Sequence, residues 1–119
     1  MTIKEYLDNR NVKDIHYKEF ILSELNCNIK NKEFGEMPYL FEFSHFLYNT
    51  DKPGLGLIKT NELLGIDNGS KLAIGLVEGD DVITLDLNDG SVAVWLVQNG
   101  DGEEINVTRT FKDFLDLLI

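Results

Sequence analysis

The chain changes its hydrophobic period near its middle. In the first half, apolar residues recur at three- and four-residue steps, the spacing of one helix face. In the second half they alternate, and the alternating runs are cut by Gly-, Asn- and Asp-bearing turns. Thr2-Ile3-Lys4-Glu5 has capping-box spacing and predicts a short helix through about Asn9. Phe20, Ile21 and Leu25 share one face of a second helix expected over Tyr17 to Asn26. Pro38 suits the first turn of a third. Tyr39, Leu40, Phe43, Phe46 and Leu47 then extend it, and Asp51-Lys52-Pro53-Gly54 ends it as a turn. Leu55 to Ile58 reads as a short strand, and Asn61 to Leu64 as one helical turn before Gly65.

From there the signals are β. Leu72 to Val77 is a buried strand type, followed by a turn at Gly79-Asp80-Asp81. In Val82 to Leu87, Ile83, Leu85 and Leu87 alternate with Val82, Thr84 and Asp86. Asn88-Asp89-Gly90 is a hairpin signal. Ser91 to Val97 is apolar on both faces, Asn99 to Gly102 is a turn, and Glu104 to Thr108 is the next strand. Thr110 caps a last helix in which Phe111, Phe114, Leu115 and Leu118 form one face. Tight hairpins join only antiparallel strands. The expected fold is therefore α+β: an antiparallel meander of about four to five strands, with N-terminal helices and a C-terminal helix packed on one face. With 119 residues, no repeat and no Pro/Ser-rich linker, residues 1–119 are expected to form a single domain.

Charge narrows the function classes. The net charge is -10, and residues 67–104 hold nine acids against the single base Lys71. Such a field repels phosphate backbones and anionic lipid, so nucleic acid and membrane are poor partners, while basic proteins are attracted. The same acids could simply keep a small domain soluble. No apolar run approaches the roughly 20 residues of a membrane span, and charges stand where a signal peptide needs apolar residues, so a cytoplasmic location is expected. The single cysteine, Cys27, excludes an internal disulfide and a cysteine-built zinc site, and reads as a small apolar residue.

Candidate chemistry is sparse. Asp86-Leu87-Asn88-Asp89-Gly90 has the look of a calcium loop, but its glycine comes one position early and Val97 stands where the closing glutamate belongs. Gly54-Leu55-Gly56-Leu57-Ile58-Lys59-Thr60 lacks the third glycine of a dinucleotide loop and the glycine before lysine of a phosphate loop. His16 and His45 have no signature around them, and no acid, base and nucleophile assemble from these spacings. No catalytic residue, metal or cofactor is expected. Trp95 lies mid-strand, opposite the face of Val92, Val94 and Leu96; it is core if helices cover it and an interface anchor if that face is open.

The run Leu72 to Leu76, the turn Glu78-Gly79-Asp80-Asp81, the strand Val82 to Asp86, the turn Asn88-Asp89-Gly90, the strand Ser91 to Trp95 and the terminal Thr110 to Leu115 together resemble the SUKH superfamily. Met37-Pro38, the turn at Pro53-Gly54 and Thr60-Asn61-Glu62-Leu63-Leu64 follow that family's order of parts, so the likeness covers roughly residues 37–119. It implies an α+β fold and a non-enzymatic role. Many bacterial members are immunity proteins that bind and neutralise a cognate toxin, often a nuclease or a nucleic-acid deaminase. The family's glycine and acidic turn positions would fall on Gly75, Gly79, Asp80, Asp81 and Gly90. The expectation is an inhibitor of a basic toxin, with Glu78, Asp80, Asp81, Asp101, Glu103 and Glu104 as contacts on a common side and Trp95 as anchor. The alternatives are a regulatory or scaffold module binding a host protein, and a metal-dependent enzyme using the acidic turns.

Overall fold

Two N-terminal helices start where side chains satisfy their free N–H groups. Residues 2–23, 30–34, 41–47, 56–65, 70–78, 81–96 and 103–118 are described by the computed structural model, with backbone alone at 30–34, 41 and 103. Helix α1 (Ile3–Asn9) is capped by Thr2, whose Oγ1 accepts from Glu5 N at 3.1 Å and donates to Glu5 Oε1. Helix α2 (Ile15–Leu22) starts two residues earlier than its apolar spacing predicts, because Asp14 Oδ1 accepts from Tyr17 N at 2.9 Å. Helix α3 (Leu57–Leu64) runs from Gly56 to Gly65, which ends it in the left-handed region at φ 67. It absorbs Leu57 and Ile58, expected in a strand, because Leu57, Thr60 and Asn61 form its buried side. Helix α4 (Phe111–Leu118) has the expected cap: Thr110 Oγ1 accepts from Asp113 N at 3.1 Å.

The sheet is an antiparallel meander of six strands in chain order: β1 (Lys30–Phe34), β2 (Phe41–Phe46), β3 (Lys71–Val77), β4 (Val82–Asp86), β5 (Val92–Leu96) and β6 (Glu103–Thr108). The α+β meander with helices at both ends of the chain is as expected. Its extra width comes from β1 and from β2, the segment whose aromatic spacing predicts a helix. The strand in place of a helix has a geometric cause. The β2–β3 register shifts between Phe43 and His45, so a bulge inserts one residue. Phe43 and Phe46, three apart, then both face the core, as they would on a helix, while aromatic residues favour strands in any case. The turn at 51–54, the turn at 99–102, the end of the second helix beyond Ser23 and Cys27 lie outside the described residues.

One buried cluster joins the layers. Phe43 and Phe46 of β2 pack against Phe114 of α4 at ring distances of 5.9 and 6.0 Å. Phe111 meets Tyr17 and Phe20 of α2 at 5.1 and 5.3 Å. Edge-to-face aromatic pairs at these distances add roughly 0.5–1.5 kcal/mol each beyond area burial. Helix α4 touches both β1 and β6, the two outermost strands. The β4–β5 hairpin closes as its sequence predicts: Asp86 Oδ1 accepts from Asn88 N and Asp89 N, and Gly90 takes φ 78. Asp14 lies against Gly90, where a Cβ would come 2.8 Å from its Oδ2, so a larger residue would have to displace that carboxylate as well as adopt the left-handed φ.

Where β2 ends, Asn61 continues the ladder in its place. Its Oδ1 accepts from Ala73 N at 2.8 Å, and its Nδ2 donates to Ala73 O at 2.9 Å and to Leu57 O at 2.8 Å. Asn61 is fully buried, so losing it orphans backbone groups that water cannot reach. Asn61→Ala is expected to lower stability by about 2–4 kcal/mol in urea titrations, the cost of two unpaired buried groups. Tyr17 gives the opposite case: its buried hydroxyl has no partner among the described residues, and burial pushes its ionisation far above the ordinary phenol value. Tyr17→Phe is expected to leave stability unchanged or raise it by up to about 1 kcal/mol; a larger loss would show that the hydroxyl is bonded.

Candidate functional site

Strand alternation and register build the site. Across five strands, His45 pairs with Leu76, Leu76 with Val82, Val82 with Trp95 and Trp95 with Glu104. These five residues form one row on the sheet face opposite Phe46, Ile83 and Val94. Val82 is 1% exposed, while His45, Leu76 and Trp95 are partly exposed. Trp95 therefore combines the two sequence readings: it packs on the core cluster and still reaches the surface. Ser44 Oγ lies 3.1 Å from His45 Nδ1 at the other end of the row.

Acids line the adjoining end of the sheet. Glu78 follows β3, and its N–H donates to Glu42 O on β2 at 2.8 Å, which sets these two residues side by side. Both are exposed, and neither has an ion-pair partner among the described residues. Glu33 stands opposite Glu42 in β1, and Glu103 opposite Leu96 in β6. Asp81 closes the β3–β4 turn, its carbonyl accepting from Val77 N at 2.9 Å, and is half-buried. Glu42 and Glu33 escape a sequence reading because their neighbours lie on other strands; a strand assignment for Phe41–Phe46 would have found Glu42.

The acids of residues 67–104 do not all gather there. Asp86 and Asp89 sit at the opposite end, in the β4–β5 turn. Asp89 accepts from Ser91 N at 2.8 Å, and that bond holds its carboxyl below the usual carboxylate range. Lys13 and His16 line a pocket of about 270 Å³ with Asp14, Asn88, Asp89 and Gly90, and Arg109 lines another with Asp89 and Thr108, so bases collect at that end. Glu104 is neutralised: Lys71 Nζ lies 2.7 Å from its Oε2 and 3.7 Å from Asp86 Oδ2. This lysine on β3 thus reaches across to an acid on β6. Asp80 and Asp101 lie outside the described residues, as does the Glu103 side chain.

Strands stand about 4.8 Å apart, within a Debye length of about 8 Å, so charges on neighbouring strands reinforce one another. A five-residue strand separates the two sheet ends by about 17 Å, so the bases at the far end are largely screened from the acids. The acids form a belt across strands rather than a chelate: among the described residues, no three His, Cys, Asp or Glu converge to hold a metal. No helix among the described residues is long and apolar enough to cross a membrane.

Comparison with family models, curated proteins and solved structures finds no match.

Lys71, Asp86 and Glu104 keep about a quarter of their side-chain surface in solvent. Lys71→Met is accordingly expected to cost no more than about 1 kcal/mol. Urea titrations at low and at high salt check this, and the difference from the parent protein should shrink as salt rises.

Proposed function

We propose that this chain is a non-enzymatic protein-binding module, an immunity protein of the SUKH kind that binds and neutralises a cognate basic toxin of nuclease or deaminase type. The observation that carries the reading is the juxtaposition of exposed Glu42 and Glu78 with the partly exposed row His45, Leu76 and Trp95. The likeness of residues 37–119 to the SUKH superfamily is its second support.

A nuclease or nucleic-acid deaminase holds its substrate in a basic cleft. An acidic belt that enters the cleft takes the place of the phosphates and excludes them. It also steers the encounter, since complementary fields raise association rates by roughly 10–1,000-fold at low salt. Charge alone gives speed and orientation. Lasting affinity needs a desolvated anchor, and tryptophan is the residue type most often found in that role. Trp95 sits one strand from Glu104 and two from Leu76, so an anchor and its apolar floor lie beside the belt. Asp81 fits the rim of the same surface, while Glu104 contributes less because Lys71 holds it.

The test uses the product of the adjacent open reading frame as the partner. Co-purification of a stoichiometric complex, and protection of cells expressing that product, are the expected results. Trp95→Ala should then weaken the complex by about thirtyfold or more in calorimetric titration, as removal of a hot-spot residue does. Absence of any complex, together with unprotected cells, would overturn the toxin reading. A complex indifferent to Trp95→Ala would move the anchor elsewhere.

A further inference from the structure

Strand β6 carries one residue more than the stretch of β5 it pairs with. Thr108 pairs with Val92 and Asn106 with Ala93, so Val107 between them has no partner on β5. An extra residue of this kind bends its strand and re-aims the side chains around it. Beside it lies a cavity of about 380 Å³, lined by Asp89, Ser91, Asn106, Val107, Thr108 and Arg109. That volume is at the small end for ligand pockets, which run from roughly 300 to 1,000 Å³.

The lining holds two opposite charges that do not meet. Asp89 and Arg109 both border the cavity, yet no ion pair joins them. Asp89 is tied to its own turn: Oδ1 accepts from Ser91 N at 2.8 Å, and that bond also keeps the carboxyl ionised. The Arg109 guanidinium and the Asn106 carboxamide are exposed, and neither has a partner among the described residues. Thr108 Oγ1 donates its proton to Thr110 O at 2.8 Å, so toward a ligand it is an acceptor only.

Such a lining selects by charge. A guanidinium takes a carboxylate through two parallel hydrogen bonds. A carboxylate fixed in its ionised form takes an ammonium. A ligand with a carboxylate alone leaves Asp89 unpaired and meets a chain of net charge -10, which repels it. A ligand with an ammonium alone leaves Arg109 unpaired. A zwitterion satisfies both groups and brings no net charge into the field. We infer that this cavity binds a small α-amino acid, with its carboxylate on Arg109 and its ammonium on Asp89. The Asn106 carboxamide and the Ser91 and Thr108 hydroxyls suit a polar side chain on that amino acid. The cavity lies at the sheet end away from Glu42 and Glu78, so it does not depend on the docking surface there.

Amide-shift NMR titration of the full chain reads the site through Ser91 and through Asn106 to Arg109, with L-serine, acetate and methylammonium as probes. L-Serine should move these signals with a millimolar dissociation constant, about tenfold or more below those of acetate and methylammonium, each of which leaves one charge of the site unpaired. Arg109→Gln should bring L-serine to the level of methylammonium. Asp89→Asn, which keeps an acceptor for Ser91 N, should bring it to the level of acetate. Circular dichroism confirms that each variant is folded. Signals that L-serine leaves in place, an affinity for L-serine no better than for acetate or methylammonium, or binding indifferent to Arg109→Gln or Asp89→Asn would each overturn the proposal.

Discussion

A single inserted residue in β2 governs how both faces of the sheet are used. The register shift between Phe43 and His45 turns Phe43 and Phe46 together into the core, where they meet Phe114. The same shift turns His45 to the opposite face, in line with Leu76 and Trp95. Without it, strict alternation would place Phe43 and Phe46 on opposite faces, and only one of them could meet Phe114. The aromatic cluster that fastens α2 and α4 to the sheet and the partly open row around Trp95 therefore have one cause. Gly75 lies under the bulge: a Cβ there would come 3.1 Å from the Phe43 ring and 3.2 Å from the His45 carbonyl, so a side chain would force both neighbours to shift by a few tenths of an ångström.

The meander then sorts charge by sheet end. Alternate connections fall at the same end, so the β3–β4 turn joins Glu42 and Glu33 of the β1–β2 pair, while the β4–β5 turn goes to the other end with Lys13, His16 and Arg109 nearby. A run that carries one net charge along the chain becomes, in three dimensions, an acidic end and a mixed end. Lys71 sharpens the division by occupying Asp86 and Glu104, which leaves Glu42 and Glu78, among the described residues, as exposed acids without an ion-pair partner beside the Trp95 row.

Local signals in the sequence were legible and long-range ones were not. Thr2, Thr110 and the Asn88-Asp89-Gly90 turn act on residues two or three positions away, and each does what its spacing predicts. Asn61 cannot be read this way, because its partner Ala73 is twelve residues distant and the bond exists only where β2 stops. The pairing of Lys71 with Glu104, thirty-three residues apart, is equally hidden. Strand β1 has the sequence Lys-Asn-Lys-Glu-Phe, with one apolar residue and hence no alternation to detect. For the candidate site, the turn acids and Trp95 were visible in the second half. Glu42 was not, because the bulge gives its strand the spacing of a helix.

Docking at the acidic end depends on the location of charge rather than its amount. Stopped-flow association with the product of the adjacent open reading frame, measured across a salt series, separates the two. Glu42→Lys and Glu78→Lys should each slow association and flatten its salt dependence, while Asn88→Lys, at the far end of the sheet, should leave both close to the parent values. Equal slowing by all three substitutions, or by none, would contradict a docking surface at the acidic end.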